Sequence, residues 1–220
     1  MATTRPDPTR HMPLTLYDNA LSTNAQKVRF LLAEAEIAYE AIAVAMGPLC
    51  PPWYGERHPF ATVPLLVDDG FALYESNTML RYLADREGRT DLYPRDPRER
   101  ARIDQTMDAL SLAVRPALWD LEAATIYHRV PSQLGGDDGA GADPRAKTVA
   151  LQALTPVLTA FEVLLNELDG FGIADCALAG RFATAPRLGV DLSGWPLLTA
   201  RLQAAWARPS WSASLAAAAR

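Results

Sequence analysis

Hydrophobic and polar residues follow two different periods along the first part of the chain. Residues 13–17, PLTLY, alternate apolar and polar positions, which is typical of a half-buried strand. Apolar residues then recur every three to four positions through AQKVRFLLAEAE, which predicts a helix, and AYEAIAV predicts a second strand. A strand, a helix and a strand within about 30 residues predict a right-handed crossover between two parallel strands.

The following segment predicts an antiparallel hairpin and then a helix. VPLLV and FALYE flank DDG, and the pair Asp69-Gly70 accepts the positive φ angles of a tight turn. Ser76 is expected to cap the helix that begins after FALYE. The order β-α-β, long loop, β-β-α indicates an α/β thioredoxin-like domain with a mixed sheet.

A connector rich in proline and charge separates this half from a second half with helical periodicity. One long helix is predicted from about Arg98 to Arg129, with a kink at Pro116. Further helices are predicted at 146–168, 173–184, 196–207 and 210–217. We therefore expect an N-terminal segment that is disordered or added (1–12), a thioredoxin-like domain (13–87), a linker (88–97) and an all-helical domain (98–220).

Composition and charge argue against a nucleic-acid-binding, a membrane-spanning or a metal-binding protein. The net charge is −5 and no basic stripe is present, which argues against nucleic acid as a partner. No run of about 18 consecutive apolar residues is present, so no membrane-spanning helix is expected. Cys50 and Cys176 are far apart and form no metal-binding pattern with the three histidines. We expect a cytoplasmic protein with two reduced thiols and no metal site.

Four sequence blocks in a fixed order carry a family signature. HPFATVPLLVDDGFALYESNTMLRYL holds a Val-Pro block and a Glu-Ser helix start, FGIADCALAGRF follows as the start of a core helix, and WPLLTARLQAAWARPSW closes the chain. With the order of the two halves, these blocks resemble the cytosolic glutathione S-transferase family over residues 13–217, in its serine-type, theta- or phi-like form. The resemblance implies that glutathione is the co-substrate and that its thiolate attacks a small hydrophobic electrophile.

The glutathione-binding residues are assigned by this resemblance. It implies that Pro64 is cis and that Val63 presents its N–H and C=O to the cysteinyl part of the tripeptide, with Thr62 just before them. A Val-Pro bond by itself favours trans. A helix N-terminus favours an anionic group, so Ser76 would bind the γ-glutamyl carboxylate and Glu75 its ammonium. Ser76 and Glu75 would also suit a helix start without any ligand.

The thiol of glutathione must be activated, because its reference pKa is about 8.5. A hydroxyl donor near a helix N-terminus favours the thiolate. Ser22 matches the family's serine, six residues before the helix valine, and is the first candidate for the catalytic residue. Thr23 and Asn24 are close rivals, and Tyr17 is a weaker one from the tyrosine-type classes.

The second substrate is expected above Ser22, against the long helix. The residues expected to line it are Leu110, Val114, Arg115 and Tyr127. Four positions depart from the family pattern: Glu36 replaces a glycine, His58 an asparagine, Thr62 a lysine or glutamine, and Gly172 a capping Ser or Thr. Arg57, His58 and Lys27 stay open as partners for the glycyl carboxylate.

Two alternative functions stay open beside the transferase hypothesis, and one oligomeric state is expected. The same thiolate serves glutathione-dependent lyases, isomerases, dehalogenases and ether-cleaving enzymes, because a fold does not fix a reaction. A non-catalytic binding protein on the same fold is favoured by Thr62 and Gly172. The resemblance also implies a two-fold homodimer in which the first domain of one chain meets the helical domain of the other.

Overall fold

A four-stranded mixed sheet forms the first part of the protein. The computed structural model describes residues 14–125 and 144–218. Within them the strands β1 (Leu14–Asp18), β2 (Tyr39–Ala43), β3 (Leu65–Asp68) and β4 (Phe71–Leu73) are ordered β2-β1-β3-β4. β1 and β2 are parallel, whereas β3 is antiparallel to both β1 and β4. The predicted parallel crossover and the predicted hairpin are both confirmed.

Helices account for most of the remaining described residues. Three belong to the sheet unit: α1 (Thr23–Glu34), α2 (Pro52–Gly55) and α3 (Ser76–Arg86). The others are α4 (Pro97–Ala109), α5 (Arg115–Thr125), α6 (Pro144–Leu165), α7 (Ile173–Arg181), α8 (Ala185–Leu188), α9 (Pro196–Trp206) and α10 (Pro209–Ala218). The predicted order, a thioredoxin-like unit followed by a helical remainder, is confirmed.

Backbone angles explain two turns that the sequence predicted. Asp69 and Gly70, with φ angles of 46° and 83°, form the tight turn between β3 and β4. Glu36 has a φ of 55° just past the end of α1, where the left-handed conformation favours glycine. Glu36 therefore occupies the position at which the family pattern led us to expect a glycine.

The predicted long helix is interrupted where Pro116 disturbs it. A π-helical segment, Leu110–Val114, joins α4 to α5. Pro116 has no N–H to donate to the carbonyl of Leu112, and its ring crowds that carbonyl, so the preceding turn widens. The π-helical interruption thus lies just before the proline. The predicted helix end at Arg129 lies outside the described residues. The short helices α2 and α8 were not predicted.

Helix α1 lies between the sheet and the helical part, where it packs closely against α7. A Cβ added to Gly180 of α7 would lie 2.6 Å from the Cβ and 2.7 Å from the backbone nitrogen of Lys27. The absence of a side chain at Gly180 therefore lets the two helices approach at this point. Next to it, Arg181 pairs with Glu122 of α5 at 2.6 Å and donates to the Thr23 hydroxyl at 2.9 Å, and both charged side chains are buried.

The start of α7 gives a structural reason for Gly172. A Cβ at Gly172 would lie 2.7 Å from the carbonyl oxygen of Leu92, which accepts a hydrogen bond from the N–H of Ile173 at 3.0 Å. A Ser or Thr would collide with that carbonyl. The carboxylate of Asp175 accepts from the Gly172 N–H at 2.9 Å, so capping is supplied from inside the helix. Packing against Leu92 therefore accounts for the glycine at position 172.

One segment of α6 is more apolar than we expected from the sequence. Among the described residues, Lys147–Leu165 is long and apolar enough by composition to cross a membrane, with a mean hydropathy of 1.6. The expectation of no such segment rested on uninterrupted apolar runs, and this one is interrupted by threonine, glutamine and glutamate. In this fold it packs against α4, α5, the π segment and α9.

Candidate functional site

The loop that enters β3 carries a cis peptide bond between Val63 and Pro64, as predicted. The Tyr54 hydroxyl donates to the carbonyl oxygen of Thr62 at 2.7 Å and fixes the residue before Val63. Neither the N–H nor the C=O of Val63 makes a backbone hydrogen bond within the described residues. Val63 therefore offers one free donor and one free acceptor just before β3 begins.

The start of α3 differs from the predicted cap. Ser76 is the first helical residue, and Glu75 occupies the cap position with φ 69° and ψ 103° and no capping hydrogen bond from its side chain. The prediction of Ser76 as the cap is therefore wrong by one residue. The first backbone bond of the helix runs from the N–H of Met79 to the carbonyl of Glu75, so the N–H groups before Met79 lack helical partners. A non-glycine residue at such a φ is strained, and strain of this kind concentrates at functional sites.

A cavity of about 400 Å³ connects these features with α1 and α5. The residues that line it are Asn24, Lys27, Phe60, Thr62, Val63, Glu75, Ser76, Asn77, Ser111 and Arg115. The structure thus brings together Thr62, Val63, Glu75, Ser76 and Arg115 from the predicted set, with Pro64 adjoining Val63. Arg115 is exposed at the start of α5, on the wall formed by the helical part.

The three consecutive candidates for thiol activation are placed differently. Ser22 and Thr23 line a neighbouring cavity of about 300 Å³. The Ser22 hydroxyl accepts from the N–H of Ala25 at 3.2 Å and so caps α1, and the Thr23 hydroxyl accepts from Arg181. Asn24 is the member of this trio that lines the cavity at Val63.

The remaining predicted residues do not reach the Val63 cavity in the described part of the chain. Tyr17 is buried, and its ring centroid lies 5.8 Å from that of Tyr54 in a small cluster beside the sheet. Leu110 and Val114 point into the hydrophobic core, with exposures of 3% and 0%. Tyr127 lies outside the described residues.

Lys27 and Asn77 form a polar connection across the cavity that the sequence analysis largely missed. The Lys27 ammonium donates to the Asn77 Oδ1 at 2.6 Å, and the Asn77 Nδ2 donates at 3.0 Å to both the Met107 carbonyl and the Ser111 hydroxyl. Burial, with a smaller contribution from nearby arginines, lowers the pKa of Lys27 to about 7. One signal was available, because Lys27 is one of only two lysines among 21 basic residues.

His58 supports the loop of the cis bond. Its side chain is buried, its Nδ1 accepts from the Phe60 N–H at 3.1 Å, and its Nε2 lies 3.3 Å from the Thr62 hydroxyl. Burial lowers the pKa of His58, which favours the neutral ring that accepts from Phe60. His58 therefore holds Thr62 in place instead of supplying a cation. Arg57 is exposed and lies 5.7 Å above the Tyr17 ring.

The fold is a thioredoxin-like unit followed by a helical remainder, with a cis-proline and a helix N-terminus at one pocket. Residues 16–91 match the family model described as "Glutathione S-transferase, N-terminal domain". This part of the chain is therefore a glutathione S-transferase N-terminal domain, and the chain as a whole is similar to proteins of that family.

Individual relatives agree with this assignment. Glutathione S-transferase D6 of Drosophila melanogaster is 24% identical over 194 residues, which cover 83% of this chain and 82% of that protein. Maleylacetoacetate isomerase of Rattus norvegicus is 28% identical over 188 residues, which cover 84% and 83%. A theta class glutathione S-transferase from Xanthomonas axonopodis pv. citri, with glutathione bound, superposes with a TM-score of 0.78 at 26% identity, covering 93% of this chain and 98% of that one.

Proposed function

We propose that this protein is a glutathione transferase that binds the tripeptide in the cavity at Val63. One observation supports the proposal: three features line the same cavity. They are the free backbone groups of Val63, the open N-terminus of α3 at Ser76 and the carboxylate of Glu75. These groups match an extended zwitterionic peptide. The cysteinyl backbone would pair with Val63 as an added strand, and the γ-glutamyl carboxylate would lie at Ser76.

Thiol activation is proposed at the N-terminus of α1. Asn24 faces the cavity, has no side-chain hydrogen bond among the described residues and carries amide N–H groups that can donate to a sulfur anion. Ser22, the first candidate from the sequence, is the second candidate here, because its hydroxyl accepts from Ala25 but its O–H is still available to donate. Both would act together with the positive end of the α1 dipole.

The reaction proposed is a substitution at carbon. The bound thiol loses its proton to solvent, and the thiolate forms a carbon–sulfur bond with a small hydrophobic electrophile. The leaving group, such as a halide, departs with the bonding electron pair. The protein lowers the thiol pKa and holds the two reactants together, and it forms no covalent bond itself. Arg115, exposed on the opposite wall, is proposed to contact the electrophile.

The test is the pH dependence of conjugation to 1-chloro-2,4-dinitrobenzene in three matched alanine variants at consecutive positions. Asn24→Ala should lower kcat/KM by about 10- to 100-fold and should raise the apparent thiol pKa. This magnitude corresponds to the free energy of one hydrogen bond to a charged group. Thr23→Ala, in the neighbouring cavity, serves as the control. If Ser22→Ala alone reproduces these changes, the activating residue is Ser22. If calorimetry with millimolar S-methylglutathione gives no binding heat, the proposed function is wrong.

A glutathione-dependent isomerase is the second candidate function. It is favoured by the similarity to the rat maleylacetoacetate isomerase, at 28% identity. In such a reaction the thiolate adds to the substrate and is expelled again, so glutathione is regenerated. A stoichiometric count of glutathione consumed per substrate turned over distinguishes the two reactions.

We also propose a cytoplasmic homodimer. Apolar side chains are exposed along the π segment and α6, with Leu112 at 80%, Val149 at 63% and Val163 at 67%. A second copy of the chain would cover such a face. Both cysteines are free, as expected in a reducing compartment. A light-scattering mass near 24.0 kDa, that of a single chain, would contradict the dimer.

A further inference from the structure

Lys27 is an unusual side chain for its location. It is 5% exposed, it lines the cavity at Val63, and no carboxylate forms an ion pair with it among the described residues. A buried ammonium without an anionic partner is costly, and such groups are rare unless they serve a site. The chain otherwise uses arginine at nearly every basic position, and its second lysine, Lys147, lies on α6.

The geometry around Lys27 places its ammonium at the start of α3. Among the described residues it donates one hydrogen bond, to Asn77, which directly follows Ser76. Both N–H groups of the Asn77 amide are committed to Met107 and Ser111, so the Asn77 oxygen is fixed toward Lys27. An ammonium has three donors, so two stay available to a ligand in the cavity that Ser76 and Glu75 also line.

The charges that surround Lys27 are mostly positive. Arg181 from α7, Arg115 from α5 and Arg81 from α3 disfavour its ammonium form, and Glu75 at the start of α3 favours it. Helix α10 also packs on α1, and there Ser214 accepts a hydrogen bond from Gln26 without adding a charge. Arg181 is itself paired with Glu122, and Arg81 with Asp104 and Asp108. The charged residues that line the cavity are then Lys27, Arg115 and Glu75, so a charged Lys27 leaves one positive charge that an anionic ligand would balance.

We propose that Lys27 binds the α-carboxylate of the γ-glutamyl group and gains a proton when glutathione enters the cavity. The inference rests on the proposed function and adds to it a specificity residue on α1. The helix N-terminus at Ser76 supplies neutral N–H donors, and Lys27 supplies the full positive charge. A ligand without that carboxylate would leave the ammonium uncompensated and would be rejected.

The consequence is a measurable uptake of protons. With a pKa of about 7 in the ligand-free protein, roughly nine in ten Lys27 side chains are neutral at pH 8. A carboxylate beside the amine raises this pKa, so binding at pH 8 should take up about 0.9 proton per site. Below pH 6 Lys27 is already charged, and the uptake should fall toward zero.

Calorimetry with S-methylglutathione tests this directly, because that ligand has no thiol to ionise. Titrations at pH 8 and at pH 5.5, each in two buffers of different ionisation enthalpy, give the number of protons taken up. Lys27→Met should abolish the uptake and weaken binding by about 10- to 100-fold. Lys147→Met changes the only other lysine and should behave as the wild type.

The presence of just two lysines permits a direct measurement of the pKa. Biosynthetic labelling with lysine that carries ¹³C at Cε should give two side-chain signals, and Lys27→Met assigns them. The Lys27 signal should titrate near pH 7 without ligand and above pH 9 with saturating S-methylglutathione. A Lys27 signal that titrates near 10.5 in both states would overturn the inference.

The outcomes separate this inference from the function on which it rests. If the wild type does not bind S-methylglutathione, the proposed function is wrong. If it binds and Lys27→Met keeps both the affinity and the proton uptake, the function stands and the role of Lys27 is wrong. If a glutathione analogue without the α-carboxylate still causes uptake on Lys27, the lysine responds to another group and the assignment to this carboxylate is wrong.

Discussion

The contact between Gly180 and Lys27 makes Gly180→Ala the most informative single change in this fold. In most helices alanine is more stable than glycine by about 1 kcal/mol, so propensity alone predicts a gain. Here the new Cβ would lie 2.6 Å from the Lys27 Cβ, 2.7 Å from its nitrogen and 2.8 Å from its Cα. Ordinary carbon contacts need about 3.5–4.0 Å. Two of the three atoms are backbone, so no side chain can rotate away.

Relief of this clash requires α7 to move about 1 Å away from α1. That movement would loosen the 2.9 Å hydrogen bond from Arg181 to Thr23 and the surrounding core. Overpacking costs about 1–3 kcal/mol and more where backbone must move, which outweighs the propensity gain. We expect a net loss of about 2 kcal/mol, or about 4–8 °C in Tm for a chain of this size.

The assay is thermal unfolding followed by far-ultraviolet circular dichroism, with Gly55→Ala as the matched control. Gly55 ends helix α2, and a Cβ there would meet nothing within 4 Å. Gly55→Ala should leave the Tm unchanged or slightly raised. If Gly180→Ala is as stable as Gly55→Ala, α1 and α7 do not approach as closely as described, and the argument that Gly180 permits the burial of Lys27 fails with it.

Three further changes test other parts of the structure. Glu122→Ala should lower the free energy of unfolding by about 3–5 kcal/mol in urea titrations, because it leaves the Arg181 guanidinium buried without its carboxylate; an unchanged midpoint would contradict this. With Ellman's reagent, the partly exposed Cys50 should react in the native protein. Cys176 is fully buried and burial raises its pKa, so it should react only after unfolding. Equal reaction rates of the two thiols in the native protein would refute the burial of Cys176. The pKa of Lys27 is about 7 in the folded protein and 10.5 ordinarily. Between these pH values the unfolded chain binds more protons than the folded one. The free energy of unfolding of the ligand-free protein should therefore rise from pH 7 to pH 10. Lys27→Met should remove that slope and stabilise the protein at pH 7 by up to about 4 kcal/mol; identical pH profiles for the two proteins would count against it.

The elements of the fold were predictable because their signals are local. The period of the apolar residues in α1 and the turn residues Asp69 and Gly70 act within a few positions of the chain. The cis bond before Pro64 was predicted through the family resemblance, because a Val-Pro bond favours trans unless the surrounding structure selects otherwise. The start of α3 was misplaced by one residue, since Ser76 is a good capping residue and nothing local indicates that Glu75 takes the cap conformation.

The candidate site was predicted less completely, because a cavity depends on distant residues. Thr62, Val63, Glu75 and Ser76 were identified from motifs near one another in sequence, and they do share a cavity. Among Ser22, Thr23 and Asn24, no sequence pattern shows which residue faces that cavity. The direction of each side chain depends on how the N-terminus of α1 meets Arg181 of α7.

By itself, the sequence determined the order of strands and helices and the mixed sheet, because these follow from periodicity and turn residues. The loop before β3 and the segment at the start of α3 were indicated by the family resemblance. Only the tertiary structure decided the electrostatics of that site. From the sequence alone, Lys27 is a charged residue on an amphipathic helix and would be expected to face solvent. In the fold, Gly180 allows α7 to cover it, and Asn77 fixes its ammonium. The pKa of a side chain depends on the solvent it loses and the charges it meets, and both are set by packing between segments that are distant in sequence.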